Sequence, residues 1–421
     1  MAIRLQDYEP IVGREEIAEL SAFAERIRNK RLQNINSTAV GGGVAEILTR
    51  LVPLLGELGI EATWDVIKGD QAFFNITKAF HNALHGHPEK ITREMLDHFQ
   101  ANTEANLRSL DLNGDVIVIH DPQPAGLILK KREIGRRWIW RCHIDVSTPN
   151  PKVWNFLRPL VDQYDASVFS MPDFARDLAV PQYMVPPSID PLSDKNKPLS
   201  RSAIREVLDK YELDSTRPIL TQISRFDRLK DPLGVIAAYR LIKRSHDCQL
   251  LLAGGGAPDD PEGEVVLREV QEAAAGDPDI RVCLLPPFSD LEINALVRGS
   301  TVVMQKSIKE GFGLTVSEAL WKKKPVVGGR VGGIKLQILN GVTGFLVHSP
   351  EGAARRTMQL LANPGLRRTM GENGHQHVKQ NFLLTRHLKD YLFLMLSLDH
   401  PDEDIVQFLS ETNPIGSQGD Y

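Results

Sequence analysis

Thr301–Gln305 followed by Glu310-Gly311-Phe312-Gly313-Leu314-Thr315-Val316-Ser317-Glu318 is the stretch from which the fold of this chain reads most directly. A β-branched run comes first, then a glycine turn, then a helical pattern over Leu314–Lys323. A strand that turns through glycine into a helix is one step of a parallel β–α–β unit. The same step recurs. Candidate strands are Gln33–Asn36, Asp115–Ile119, Trp138–Cys142, Ser167–Ser170 and Tyr183–Val185. A second series follows at Ile219–Ile223, Gln249–Ala253, Arg281–Leu284, Thr301–Gln305, Pro325–Val327 and Phe345–Val347. Several are continuous apolar runs, as strands covered on both faces require. Helical patterns such as Asp290–Arg298 lie between them. The expected class is α/β, with two Rossmann-like doubly wound domains facing a cleft.

The two series part at Pro186–Ser200, where prolines stand at 186, 187, 191 and 198, with Pro181 just upstream. Such a segment continues neither a helix nor a central strand. The expected division is an N-terminal domain over 1–195, a C-terminal domain over 196–384 and a helical tail over 385–421. The 421 residues agree with two or three domains at roughly 150 residues each. Hydrophobic residues make up 42% and charged residues 25%, the profile of an ordinary globular protein. Fifty basic against 54 acidic residues leave a net charge of −4, which gives no support to a nucleic-acid partner. Cys142, Cys248 and Cys283 form no Cys-x-x-Cys pair, so neither a zinc site nor a disulfide framework is expected. The N-terminus has no apolar signal-like region, and no run of about 18 apolar residues offers a membrane span. The expectation is a cytoplasmic protein with no membrane partner.

Chemistry-bearing residues gather where strands end. Gly311 and Gly313 free the backbone, and the N–H groups of Gly313, Leu314 and Thr315 open a helix that favours an anion. Glu310 stands before that helix and Glu318 about one turn inside it, a position suited to ribose hydroxyls. An acidic first turn is also what the helix dipole favours without any ligand. Ser224-Arg225-Phe226-Asp227-Arg228-Leu229-Lys230 follows a strand, so Arg225 and Lys230 can reach phosphate oxygens, one as a fork and one as a point charge. A solvated basic loop has the same composition. Gly41, Gly42 and Gly43 lie between a strand and an apolar helical stripe containing Pro53, which predicts a kink. Their pattern fits a ligand-free tight turn as well as an anion site. In the first half, Asp121 and His143 end neighbouring strands. Asp121 can accept from sugar hydroxyls and His143 can donate to one. His81 and Asn82 are weaker candidates. Gly328–Lys335 is glycine-rich but lacks the Gly-Lys-Ser/Thr ending of a phosphate loop, and reads as a flexible turn lining the same cleft.

The glycine turn, the Ser224–Lys230 segment and the Glu310–Glu318 motif together resemble retaining glycosyltransferases of the GT-B architecture, family 4. Asn36-Ser37-Thr38, Phe74-Asn75-Ile76-Thr77-Lys78, His120–Pro124, Trp138–Asp145 and Pro186–Pro191 resemble the narrower trehalose-forming group. The resemblance covers most of the chain. It implies that Arg225 and Lys230, helped by Gly42 and Gly43, bind the donor diphosphate. It implies Glu318 on the ribose, Glu310 on the donor sugar, backbone donors from Gly313, Leu314 and Thr315, and Asp121 and His143 on the acceptor side. Arg225, Lys230, Glu310 and His143 are then the catalytic set. The implied reaction makes α,α-trehalose from a nucleoside-diphosphate-glucose (UDP- or ADP-glucose) and glucose, with retention. Phosphorolysis of trehalose on the same fold is the alternative, along with other hexosyl transfers of the family. No tightly bound cofactor is implied. Magnesium is compatible, but no residue pattern offers it a site. Partners are a sugar and a nucleotide sugar, and a homodimer is compatible with the sequence. The last helix is implied to cross back onto the first domain.

Overall fold

A computed structural model describes residues 3–39, 42–255 and 261–399. The first sheet holds β1 (Arg31–Asn36), β2 (Glu61–Val66), β3 (Val116–His120), β4 (Arg137–Arg141), β5 (Ala166–Phe169) and β6 (Gln182–Met184). The second holds β7 (Ile219–Ile223), β8 (Gln249–Gly255), β9 (Ile280–Leu285), β10 (Val302–Gln305), β11 (Val326–Gly329) and β12 (Gly344–Val347). All pairings within the two sheets are parallel. The strand orders are β2-β1-β3-β4-β5-β6 and β12-β11-β10-β7-β8-β9. Each candidate strand read from the sequence is present within a residue or two. β2 was not foreseen, because its Glu61–Val66 sequence is only half-buried and carries no continuous apolar run.

Strand order decides where a ligand fits. In open parallel sheets the crevice lies beyond the carboxyl ends of the strands where the order reverses. Here the reversals fall between β1 and β3, and between β7 and β10. β1 leads to Gly42 and Gly43, and β3 to His120 and Asp121. β7 leads to Arg225 and Lys230, and β10 to Glu310 and Gly313. β4, beside β3, ends before His143. Topology thus brings the glycine turn, Asp121, His143, the Ser224–Lys230 segment and the Glu310–Gly313 turn to strand ends at or beside a switch point, while His81 and Asn82 lie inside the helix Gln71–Leu84.

The segment 186–200 leaves the first sheet beside a second crossing of the chain. Ile189 N–H donates to Phe382 O at 2.8 Å, and Leu384 N–H donates to Ile189 O at 3.0 Å. Arg386 Nη2 donates to Pro186 O at 2.7 Å. From this bridge the helix Leu384–Asp399 runs back over the first sheet. Its Leu388, Leu392, Leu394 and Met395 share one core with Leu20, Leu48, Leu51 and Leu55. Burial of that many aliphatic side chains, at roughly 1.5–3 kcal/mol each, ties the end of the chain to its beginning. Pro53 lies inside the helix Gly42–Glu57, and the three cysteines are free thiols.

Candidate functional site

The second sheet supplies cations held in fixed positions. Gly254 lets β8 pass close to the loop after β7, since a Cβ there would lie 1.7 Å from Ser224 O. Asp227 Oδ1 then accepts from Leu229 N–H at 2.7 Å, and Lys230 O accepts from Gln222 Nε2 at 2.7 Å. These bonds place the Lys230 ammonium 2.6 Å from Glu310 Oε2. Ser307 Oγ donates to the same oxygen at 3.2 Å. Glu310 is 7% exposed, so the pair is largely withdrawn from water. The Arg225 guanidinium lies 3.7 Å from the Asp227 carboxylate and is half exposed. Arg228 turns elsewhere and forks onto Glu269 at 2.7 and 2.9 Å.

Two helices begin at the same place. Gly313, with φ +82°, precedes the helix Leu314–Trp321. The first N–H groups of a helix have no partner inside it, which leaves those of Leu314 and Thr315 to a ligand. Across the cleft stands the helix Gly42–Glu57. A Cβ on Gly43 would lie 3.1 Å from Leu314 Cδ1, so glycine sets how closely the two helix starts approach. Converging helix N-termini beside Lys230 are an arrangement that favours an anion. Gly41 lies outside the described residues.

Glu318 sits one turn inside its helix and is 2% exposed. Its Oε1 is buried without a hydrogen bond and lies 3.6 Å from Lys195 Nζ. Lys195 also pairs with Glu46 at 2.7 Å, so one lysine of the linker joins a carboxylate from each domain. Sequence reasoning missed Lys195 and Glu46. The prolines of 186–200 marked it as a linker, and nothing in the spacing tied Lys195 to Glu318. Behind them Lys322 donates to Asn196 Oδ1 at 2.7 Å and to Glu318 O at 3.0 Å. Burial pulls its ammonium down to about 7.

The first sheet supplies uncharged imidazoles and one carboxyl. Asp121 follows β3 with a left-handed φ of +66°. Its Oδ1 accepts from His143 N–H at 2.7 Å, and its carbonyl accepts from Trp140 Nε1 at 3.0 Å. Burial raises the Asp121 carboxyl to about 6. His143 Nε2 lies 3.1 Å from His120 Nδ1. Burial pulls His120 down to about 3 and His143 well below the usual histidine range. The two halves meet at Gly311, where a Cβ would lie 2.4 Å from His143 O. Lys309 reaches across to Thr148 Oγ1 at 3.2 Å. His81 stacks edge-on with His85 at 4.6 Å, and Asn82 donates to Glu89 at 3.2 Å. Burial pulls His85 down to about 4, while the charges of Asp145 and Glu310 pull it up. No spacing in the sequence singles out His85.

The turn after β11, read from the sequence as flexible, is tightly packed. Gly332, with φ +41°, lies so close to the Glu310 loop that a Cβ would fall 1.6 Å from Glu310 O. Gly332, Gly333 and Ile334 are buried. These glycines permit tight packing beneath Glu310 and hold it in place.

Comparison with known proteins fits this geometry. A family model described as trehalose synthase, N-terminal domain, matches residues 34–176. One described as glycosyl transferases group 1 matches residues 203–377. A trehalose synthase of Thermococcus litoralis is 46% identical over 400 residues, covering 94% of this chain and 97% of that protein. The chain belongs to the trehalose synthase family. A trehalose phosphorylase of Pleurotus pulmonarius is 29% identical, over 93% of this chain and 60% of that protein. Among solved structures, a UDP-forming α,α-trehalose-phosphate synthase from Burkholderia xenovorans superposes with a TM-score of 0.71 at 14% identity, over 88% of this chain and all of that one. This trehalose synthase family member therefore has the GT-B fold and is a hexosyltransferase. Among the described residues no helix is long and apolar enough to cross a membrane. Nor do three or more His, Cys, Asp or Glu side chains among them gather as metal ligands.

Proposed function

We propose that the enzyme transfers glucose from a nucleoside-diphosphate-glucose, UDP- or ADP-glucose, to free glucose, giving α,α-trehalose and the nucleoside diphosphate. The observation that carries this reading is the Lys230–Glu310 contact at 2.6 Å beside two helix N-termini. Without donor the two charges satisfy one another. With donor bound, the diphosphate takes Lys230 and the sugar hydroxyls take Glu310. Arg225 adds a second cation on the diphosphate, and Gly42, Gly43, Gly313, Leu314 and Thr315 offer backbone. Glu318, whose Oε1 faces Lys195 but accepts no hydrogen bond, takes the ribose. Residues 1–195 supply the acceptor side, residues 196–384 the nucleotide-sugar side, and 385–421 follow as a tail.

Retention follows from front-face transfer. The bond from the anomeric carbon to the phosphate oxygen breaks, and the acceptor oxygen bonds on the same face. The acceptor proton passes to the departing diphosphate. Lys230, Arg225 and the helix starts stabilise the charge growing there, an effect that commonly dominates such catalysis. The relatedness to a trehalose phosphorylase makes phosphorolysis the second reading, since inorganic phosphate suits the same cations. A buried ribose acceptor at Glu318 favours the nucleotide reading. Purified enzyme given glucose and UDP-, ADP- or GDP-glucose should yield α,α-trehalose by NMR. A different linkage, or phosphate-dependent trehalose cleavage without turnover of any nucleotide sugar, overturns the proposal.

The acid limb of the pH profile is a separate prediction. Burial pushes His120 and His85 down to about 3 and 4 and the Asp121 carboxyl up to about 6. Activity that needs the Asp121 carboxylate is therefore full above pH 6 and falls as the pH drops through it. Its folded value lies above its unfolded one, so the stability contribution has the opposite sign. Keeping Asp121 ionised costs stability above pH 6, and the cost is relieved toward pH 4. The kcat/KM profile should bend near 6, and Asp121→Asn should remove the bend. An unchanged bend in that variant rules Asp121 out.

A further inference from the structure

The chemistry of His143 is set by two residues behind it. His143 Nε2 lies 3.1 Å from His120 Nδ1, and His120 Nε2 lies 3.1 Å from Asn34 Oδ1. The two rings stack 5.4 Å apart at 17°. A neutral imidazole has one N–H and one bare nitrogen, so protons can run along this chain in two ways only. Asn34 decides between them. Its Nδ2 donates to Thr63 O on β2 at 3.4 Å. Turning the amide over would set its oxygen against that carbonyl. Asn34 Oδ1 must then accept from His120, whose proton is on Nε2 and whose Nδ1 is bare. His143 must donate through Nε2, which leaves its own Nδ1 bare.

The rings stay neutral for a physical reason. His120 is buried, and Arg141, 0% exposed, places a positive charge beside both rings. A second positive charge in the same interior is costly. The bare Nδ1 of His143 has no partner among the described residues, and His143 itself is half-buried. The sequence suggested a donor at this position. The hydrogen-bond chain makes it an acceptor.

We propose that Asn34 and His120 are positioning residues that fix His143 as a hydrogen-bond acceptor for a hydroxyl of the bound sugar. This rests on the reading of His143 as a sugar-facing residue. Specificity follows. The hydroxyl must donate, so replacing it with fluorine, which cannot donate, removes the contact while keeping the size.

The test combines a spectroscopic and a kinetic readout. In 15N-histidine-labelled enzyme, the imidazole signals should show His143 protonated on Nε2 and bare on Nδ1. His120→Phe cannot accept from His143 and should mix the tautomers. His120→Gln can accept through Oε1 and donate to Asn34 through Nε2, and should restore the single tautomer. Loss of one neutral hydrogen bond predicts that kcat/KM falls about tenfold in His120→Phe, with recovery in His120→Gln. A deoxyfluoro sugar series should contain one position whose penalty disappears in His120→Phe. A proton on Nδ1 of wild-type His143, or equal losses in the Phe and Gln variants, overturns the proposal. The expected tautomer with activity indifferent to both substitutions overturns the sugar-facing reading of His143 instead.

Discussion

Lys230→Ala should lose about two to three orders of magnitude in kcat, roughly the 3–4 kcal/mol that one charge-stabilising donor contributes to a transition state. Lys230 is fixed by its own carbonyl, bonded to Gln222, and its ammonium meets Glu310 in a largely buried setting. Its removal takes a cation from the departing diphosphate and leaves the largely buried Glu310 carboxylate with only the Ser307 hydroxyl beside it. Lys230→Arg keeps the charge but not the compact shape, and should recover only part of the activity. Arg225→Ala should fall in the same range. Initial rates with saturating donor, alongside a thermal melt to show that the fold survives, measure the effect. Near-normal turnover in Lys230→Ala removes Lys230 from the catalytic set.

Gly311→Ala tests the junction of the two domains. The added Cβ would lie 2.4 Å from His143 O, a backbone atom that cannot swing aside. Overpacking of this kind costs roughly 1–3 kcal/mol. Here the strain falls on the arrangement that brings Glu310 and His143 together, and either domain alone escapes it. The population of that arrangement should fall about 5- to 150-fold, and kcat/KM with it. Circular dichroism should be unchanged. Gly56→Ala, where a Cβ meets nothing within 4 Å, is the control and should behave as wild type. Full activity in Gly311→Ala would show that the domains do not work in this closed arrangement.

Much of this was legible because parallel sheets write themselves as continuous apolar runs. Ile219–Ile223 and the strand before Glu310 needed only local sequence. β2 was hidden because an edge strand that is only half-buried along its length carries no such run. Arg225, Lys230, Glu310 and Glu318 were legible because glycine and charge cluster at strand ends. Lys195 was not, since its two carboxylate partners lie 149 and 123 residues away in the chain. The proton order on His143 was unreadable for a related reason. It depends on Asn34, whose contact with His120 spans 86 residues. The turn at Gly332 misled because glycine permits motion and tight packing equally, and only the neighbouring Glu310 loop distinguishes them.

The return of the last helix to the first domain has a consequence for synthesis. The core under the first sheet includes Leu388, Leu392 and Met395. A nascent chain that has just released its first domain from the ribosome lacks those side chains. At about 5–20 residues per second, the intervening stretch of the second domain takes on the order of 10–40 seconds to make. For that interval an aliphatic face formed by Leu20, Leu48, Leu51 and Leu55 waits uncovered. The first domain is the earlier to be made and the later to be finished, and chaperones have their opportunity in that gap.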